Sequence, residues 1–279
     1  MGAWQDQGMP ALAPVLRRLL PDGADVWLPV TAGESGATVL HDASGARYAK
    51  LATGPAAADL AAERERLLWL AQVGIPTAAV LSWQSSGGAA CLITAAVPGT
   101  PAHELDAAAL RTAWPGILEA VRQLHALPRA GCRFARGLDM MMPIARATVA
   151  ADRVQTAFLP EDLQGVDPML ILQAVEEELP QREREEAREA VVCHGDLCLP
   201  NLLIGADGRH VTGLIDVSRL GVADPYADLA LLLGTAGETW GDGPDARAAE
   251  AELEAALGIA LDPERLGFHR MLDPLTWPR

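Results

Sequence analysis

The sequence holds a single lysine. Of 22 basic residues, all but Lys50 are arginine, so a chain that otherwise chooses Arg keeps a slender, strongly hydrated ammonium at one position. Long apolar runs are also missing: nowhere do eighteen apolar residues follow one another, as a membrane-spanning helix would require. The opening Met1-Gly-Ala-Trp-Gln-Asp has no basic stretch leading into an apolar one, so a soluble cytoplasmic protein is expected, neither exported nor in a membrane. Cysteine is sparse and scattered (Cys91, Cys132, Cys193, Cys198), with no C-x-x-C pair, which argues for reduced, buried thiols rather than a disulfide framework. Basic charge is scarce against acidic. The formal charge of −15 repels a phosphate backbone and argues against nucleic acid, while it attracts cationic small molecules. The same charge also serves solubility. No repeat or low-complexity tract is visible, and a monomer is expected.

With 279 residues, half of them apolar, the chain can bury the core of one large domain or two lobes. Residues 11–20 read as a short amphipathic helix. Trp27–Val30, Ala37–His41 and Arg47–Leu51 read as strands, separated by turns at Gly33–Gly36 and Ser44–Gly45. Ala56–Val73 has helical spacing and is stopped by Gly74 and Pro76. Ala78–Gln84 and Ala90–Ala95 add two strands around the turn Ser85–Gly88. The boundary falls in Ala96-Val-Pro-Gly-Thr-Pro101, where two prolines and a glycine interrupt both periodicities. The expected division is a lobe of residues 1–97 and a mainly helical lobe of residues 98–279. Helices are expected at Leu110–Leu127, Asp139–Thr156, Pro168–Leu179, Tyr226–Gly237 and Ala246–Leu257, with Gln181–Glu189 as a solvated charge run. Strands are expected at Val191–Val192, Leu202–Ile204 and Val211–Ile215, the last two folded into a hairpin by Ala206-Asp-Gly208. The fold class is α+β.

The sharpest chemical signal is His194-Gly-Asp196-Leu-Cys-Leu-Pro-Asn201, followed beyond the hairpin by Ile215-Asp216-Val217. Asp196 and Asn201 have the D-x-x-x-x-N spacing of a kinase catalytic loop, in which the carboxylate orients the attacking hydroxyl and accepts its proton. The hairpin returns Asp216 beside Asn201, so an anionic and a neutral oxygen converge as a site for Mg²⁺. His194 reads as a residue holding the loop backbone rather than a general base. A zinc site from Cys193, His194 and Cys198 is conceivable, although the spacing lacks a second ligand pair. Lys50, on the third strand, would meet nucleotide phosphates and needs a carboxylate partner. Glu63 and Glu65 compete for that post, and helical spacing puts Glu63 on the inward face. The Gly33–Gly36 loop, with Ser35, offers backbone N–H groups to phosphates. Tyr48 shares the strand face of Lys50 and either stacks on adenine or fills the core. Thr94–Val97, with Ala95 and Val97, would present main-chain groups to the adenine edge.

These residues resemble a family. The strings WLPVTAGESG, YAK with AERERLLWL, ACLITAAVPG, VVCHGDLCLPN, GLIDVSRLGVADPYADLALLL and LDPLTW are similar to the aminoglycoside phosphotransferases, specifically the branch that acts on the 3″-hydroxyl of streptomycin. The resemblance implies a bilobal protein-kinase-like fold, with a small β-rich N-terminal lobe, a larger helical C-terminal lobe and ATP between them. It implies ATP and Mg²⁺ as cofactors, streptomycin as acceptor, and Arg219 and Asp228 as supports of the catalytic loop. Relatives acting on kanamycin-type substrates tend to carry an acid where this chain has Leu199, and an LDE segment where it has Leu272-Asp273-Pro274. Their absence argues against a deoxystreptamine amine there. Asp273 is the candidate for the guanidinium groups of streptomycin; Asp162, Asp167 and Glu176–Glu178 are weaker candidates, the last better read as an exposed acidic helix. Alternatives are another acceptor alcohol, or a non-catalytic nucleotide- or drug-binding module.

Overall fold

A computed structural model describes residues 14–20, 26–30, 37–241 and 243–277, and the chain divides into two compact units, Met1–Val97 and Pro98–Arg279. The first unit contains helix α1 (Pro14–Arg17), strands β1 (Trp27–Pro29), β2 (Thr38–Asp42) and β3 (Arg47–Thr53), helix α2 (Pro55–Val73), and strands β4 (Val80–Ser86) and β5 (Ala89–Ala95). Its strands pair antiparallel in the order β1-β2-β3-β5-β4. Alternation sorts the residues of β3: Ala49 and Leu51 join Leu16, Leu19, Leu40, Cys91 and Ile93 in one buried cluster. Tyr48 and Lys50 therefore take the opposite face. Against that face lies α2, which buries Leu60, Glu63, Leu67 and Leu70 at spacings of three and four. Gly74, at φ 80°, ends the helix in the left-handed conformation and returns its N–H to Leu70. β4 runs on to Ser86, because Gly87 and Gly88, both at positive φ, suffice for the turn. The Gly33–Gly36 loop and Ser35 lie outside the described residues.

The second unit is mainly helical. It contains α3 (Ala107–His125), α4 (Leu138–Ala150), α5 (Pro168–Glu189), α6 (Tyr226–Trp240), α7 (Pro244–Leu257) and α8 (Pro263–Leu275). Strand β6 (Thr100–Pro101) pairs with β8 (Leu202–Ile204), which forms a hairpin with β9 (Val211–Leu214); β7 (Val191–Cys193) pairs with β10 (Gly221–Ala223). A core of Leu138, Met142, Ile171, Val175, Phe268 and Leu272 joins α4, α5 and α8.

Three expectations are corrected here. The charge run Gln181–Glu189 is helical, continuing α5 past Pro180; it is mostly exposed, as expected of a solvated run, but Arg182 is 1 % exposed and pairs with Glu178 and Glu185. Burial of Ile171, Val175 and Arg182 keeps helical spacing across the proline. Helix α4 stops at Ala150 rather than Thr156, where Asp152 turns to φ 52°. Helix α8 was not anticipated, because Gly267 and Pro274 mask its periodicity; its readable sign is Asp262, which caps Glu264 and Arg265 N–H ahead of Pro263.

Candidate active site

In the first unit, Lys50 Nζ donates to Glu63 Oε1 at 2.7 Å. Glu65 instead receives Arg64. Tyr48 is 38 % exposed, with its ring 6.3 Å from that of His41, so it is not a core residue. Ala95 N–H is taken by the Ala79 carbonyl at 2.9 Å. Val97 closes this unit.

In the second unit, β7 delivers the loop that carries Asp196. Gly195 sits at φ 78°, and a Cβ there would lie 2.3 Å from the Arg219 carbonyl oxygen, so only glycine fits. Asp228, buried on the first turn of α6, accepts His194 N–H and Gly195 N–H on separate carboxylate oxygens, each at 2.8 Å. It also meets His125 Nε2 at 3.0 Å. His194 has both ring nitrogens engaged with backbone: Nε2–H donates to Ile215 O at 2.9 Å, and Nδ1 accepts Asp196 N–H at 3.3 Å. A ring so occupied orients the loop and leaves no basic nitrogen for a substrate.

Asn201 Nδ2 donates to the Asp196 carbonyl at 2.8 Å and to Asp196 Oδ2 at 3.0 Å. The amide thus braces the carboxylate and leaves its own oxygen as the possible metal ligand. Ile215 N–H reaches the Asn201 carbonyl at 3.1 Å, which sets Asp216 next to Asn201. Asp216 adopts φ 60°, ψ 45°; a left-handed non-glycine backbone is uncommon and costs on the order of 1 kcal/mol. One amide oxygen and one carboxylate form a hard-oxygen pair that suits Mg²⁺. Burial pushes the Asp196 carboxyl above its ordinary range; His194 and Arg219 pull it back, while the charges of Asp273 and Asp216 push with burial.

Arg219 supports the loop from behind Gly195. Its guanidinium pairs with Asp273 at 3.1 Å, donates to the Thr276 carbonyl at 3.0 Å and lies over the Trp277 ring at 3.2 Å. Trp277, the last residue of the LDPLTW string, donates its indole N–H to the other oxygen of Asp273 at 3.1 Å. Asp273, expected to meet the substrate, therefore has both carboxylate oxygens occupied inside the protein. The weaker acidic candidates are engaged too: Asp162 with Arg270, Asp167 as the cap of α5, Glu176 with Arg146, Glu177 with Gln173 and Glu178 with Arg182. Leu199 is fully buried, so that loop position faces the core in this chain. The zinc alternative fails on geometry: Cys193 Sγ faces the Ala223 and Asp224 carbonyls, Cys198 Sγ faces Asp196 and Asn201, and the ring of His194 is engaged elsewhere. All four cysteines are free thiols, but Cys132 and Cys198 are only partly buried. No helix among the described residues is long and apolar enough to cross a membrane.

Comparison with known proteins gives this geometry a family. Residues 26–269 match the family described as the phosphotransferase enzyme family, APH. The chain is 49 % identical over 268 residues to a streptomycin 3''-kinase of Streptomyces griseus, covering 96 % of this chain and 98 % of that one. It is 37 % identical to an aminoglycoside 3'-phosphotransferase of Streptomyces fradiae, over 92 % of this chain and 97 % of that one. Among solved structures, aminoglycoside phosphotransferase APH(3'')-Id of Streptomyces rimosus, in complex with ADP and streptomycin, superposes with a TM-score of 0.86 at 47 % identity, over 90 % of this chain and 92 % of that one. Its match over most of its length, on a catalytic loop of this construction, makes the chain a member of the APH phosphotransferase enzyme family.

Proposed function

We propose that the protein is an ATP-dependent aminoglycoside O-phosphotransferase that phosphorylates the 3″-hydroxyl of streptomycin and so confers resistance to it. The observation that carries the reaction type is the loop in which Asn201 braces Asp196 at 3.0 Å while Asp216 is brought alongside. The acceptor rests on the 49 % identity to a streptomycin 3''-kinase. In this reading Asp196 orients the sugar hydroxyl and takes its proton as the oxygen attacks the γ-phosphorus, while the bond from that phosphorus to the β,γ-bridging oxygen breaks and ADP leaves. Lys50, held by Glu63, steadies the α- and β-phosphates, which makes the first unit the nucleotide lobe, with Ser35, Tyr48, Ala95 and Val97 as further contacts. Asn201 and Asp216 would hold Mg²⁺, which when bound neutralises phosphate charge. His194, Arg219 and Asp228 keep the loop in shape, so that positioning does most of the work. The protein works as a cytoplasmic monomer, and its net negative field draws the cationic drug in.

Incubation with ATP, Mg²⁺ and streptomycin, followed by mass spectrometry and phosphorus NMR of the drug, tests this. One phosphoryl group on the 3″-oxygen is expected. Transfer to kanamycin alone would overturn the acceptor assignment, and no transfer to any alcohol would overturn the kinase.

A further inference from the structure

Helix α6 touches the catalytic loop at a second point that none of the motifs includes. Leu199 N–H donates to the Thr235 hydroxyl oxygen at 3.1 Å, and that hydroxyl gives its own proton back along the helix, to Leu231 O at 2.9 Å. Its oxygen is thereby turned toward the loop as an acceptor. Seven residues earlier on the same helix, Asp228 takes the His194 and Gly195 N–H groups. A separation of seven is close to two turns, so both side chains project from one face. Between the two grips lies Asp196, and just past the second lies Asn201.

We propose that Thr235 is a positioning residue of the phosphotransfer site, anchoring the Leu199 amide so that α6 grips the loop on both sides of Asp196. The proposal rests on the kinase reading above and adds a residue to it. At its far end the loop is tied by Ile215 N–H to the Asn201 carbonyl at 3.1 Å, while Cys198 N to Asp196 O at 2.9 Å and Asn201 N to Cys198 O at 3.0 Å are internal to it. The internal bonds set its shape but not its place on the scaffold. Leu199 is fully buried, so water cannot readily replace the hydroxyl, and loss of the acceptor would orphan a main-chain donor next to the reacting carboxylate. A threonine bonding back to its own helix does nothing for helix stability by itself. What this one adds is the grip on the loop.

The test compares Thr235→Val, which keeps the branched shape without the acceptor, with Thr235→Ser, which keeps the hydroxyl. Thr235→Ala controls for a valine that folds poorly. Steady-state kinetics with ATP and streptomycin, thermal melting, and amide hydrogen exchange over residues 194–201 are measured on each. In Thr235→Val and Thr235→Ala, kcat falls by about ten- to a hundredfold, as a small displacement of a reacting group can cause. The KM for streptomycin stays within about twofold, loop exchange accelerates, and Thr235→Ser restores both kcat and protection. Wild-type kcat in the valine and alanine variants, or a loss that serine does not restore, overturns the proposal. If the wild-type protein itself transfers no phosphate, the kinase reading fails instead, and the exchange data alone decide whether Thr235 anchors the loop.

Discussion

Replacing Asp228 by asparagine should cost the protein both stability and turnover, by amounts that follow from its surroundings. The carboxylate is fully buried, accepts two backbone N–H bonds at 2.8 Å, and faces His125 Nε2 at 3.0 Å. Hydrogen bonds to a buried charge contribute about 1.5 to 3 kcal/mol each, and an orphaned buried donor costs about 1 to 3 kcal/mol. An asparagine can accept on one oxygen only, so one of the two main-chain donors meets an NH₂ group. A loss of roughly 3 to 5 kcal/mol follows, the range found when one partner of a buried charged contact is removed. For a unit the size of Pro98–Arg279, that lowers the melting midpoint by roughly 10 °C. Differential scanning fluorimetry reads the midpoint, and a coupled ADP assay at 20 °C or below, where the variant stays folded, reads kcat. Because the orphaned donor belongs to His194 or Gly195, kcat should fall about tenfold or more even in the folded variant. A midpoint within about 2 °C of wild type, with unchanged turnover, would show that the loop does not depend on this carboxylate.

Changing Asp196 to asparagine or alanine should abolish turnover while calorimetry shows ATP affinity nearly intact; near-wild-type turnover would remove Asp196 from its role. The raised pKa of Asp196 sets a pH dependence: below that value the carboxyl is protonated and cannot accept the hydroxyl proton. The acid limb of the kcat profile should therefore lie above the ordinary carboxylate value of about 4, and full activity down to pH 4 in a protein that stays folded would contradict it. Lys50→Arg keeps the charge but replaces a point ammonium by a planar fork beside Glu63, so kcat/KM for ATP should drop about tenfold or more; unchanged kinetics would make the lone lysine an accident of composition. Gly195→Ala should lose soluble expression or activity, since its Cβ meets the Arg219 carbonyl at a positive φ; a crystal structure with an undisturbed loop would refute this.

What the sequence could reveal depended on how local each feature is. Asp196 and Asn201 are spaced within one loop, and a hairpin of short strands returns Asp216, so spacing alone brought the three together. Glu63 was separable from Glu65 because one helix period decides which of the two faces the sheet. The supports were harder to see. Trp277 touches Arg219, and Thr235 touches Leu199, across tens of residues of chain; the LDPLTW string contains the tryptophan, but neither it nor a threonine in an apolar helix carries a local sign of its partner. Helix α8 was hidden by Gly267 and Pro274, and the interior of α5 by Pro180, because a proline removes one hydrogen bond while tertiary packing holds the rest of the helix.

The acidic residues show most clearly where composition misleads. A net charge of −15 invites the reading that spare carboxylates wait for a cationic drug. Yet Asp162, Glu176, Glu178 and Asp273 each already face an arginine, and Asp167 caps a helix. At these five positions the charge is already engaged inside the protein, and what the net charge supplies is a long-range field that concentrates cations near it. Any of the four arginine-paired carboxylates that contacts the drug must first exchange its arginine for it, a near-neutral swap at the exposed pairs but a costly one at Asp273, which also holds Trp277. Neutralising an exposed member such as Asp162 should accordingly change streptomycin KM mainly at low salt, whereas Asp273→Asn should lower kcat at every ionic strength by loosening Arg219; a salt-insensitive change in KM alone at Asp273 would return that residue to direct substrate contact.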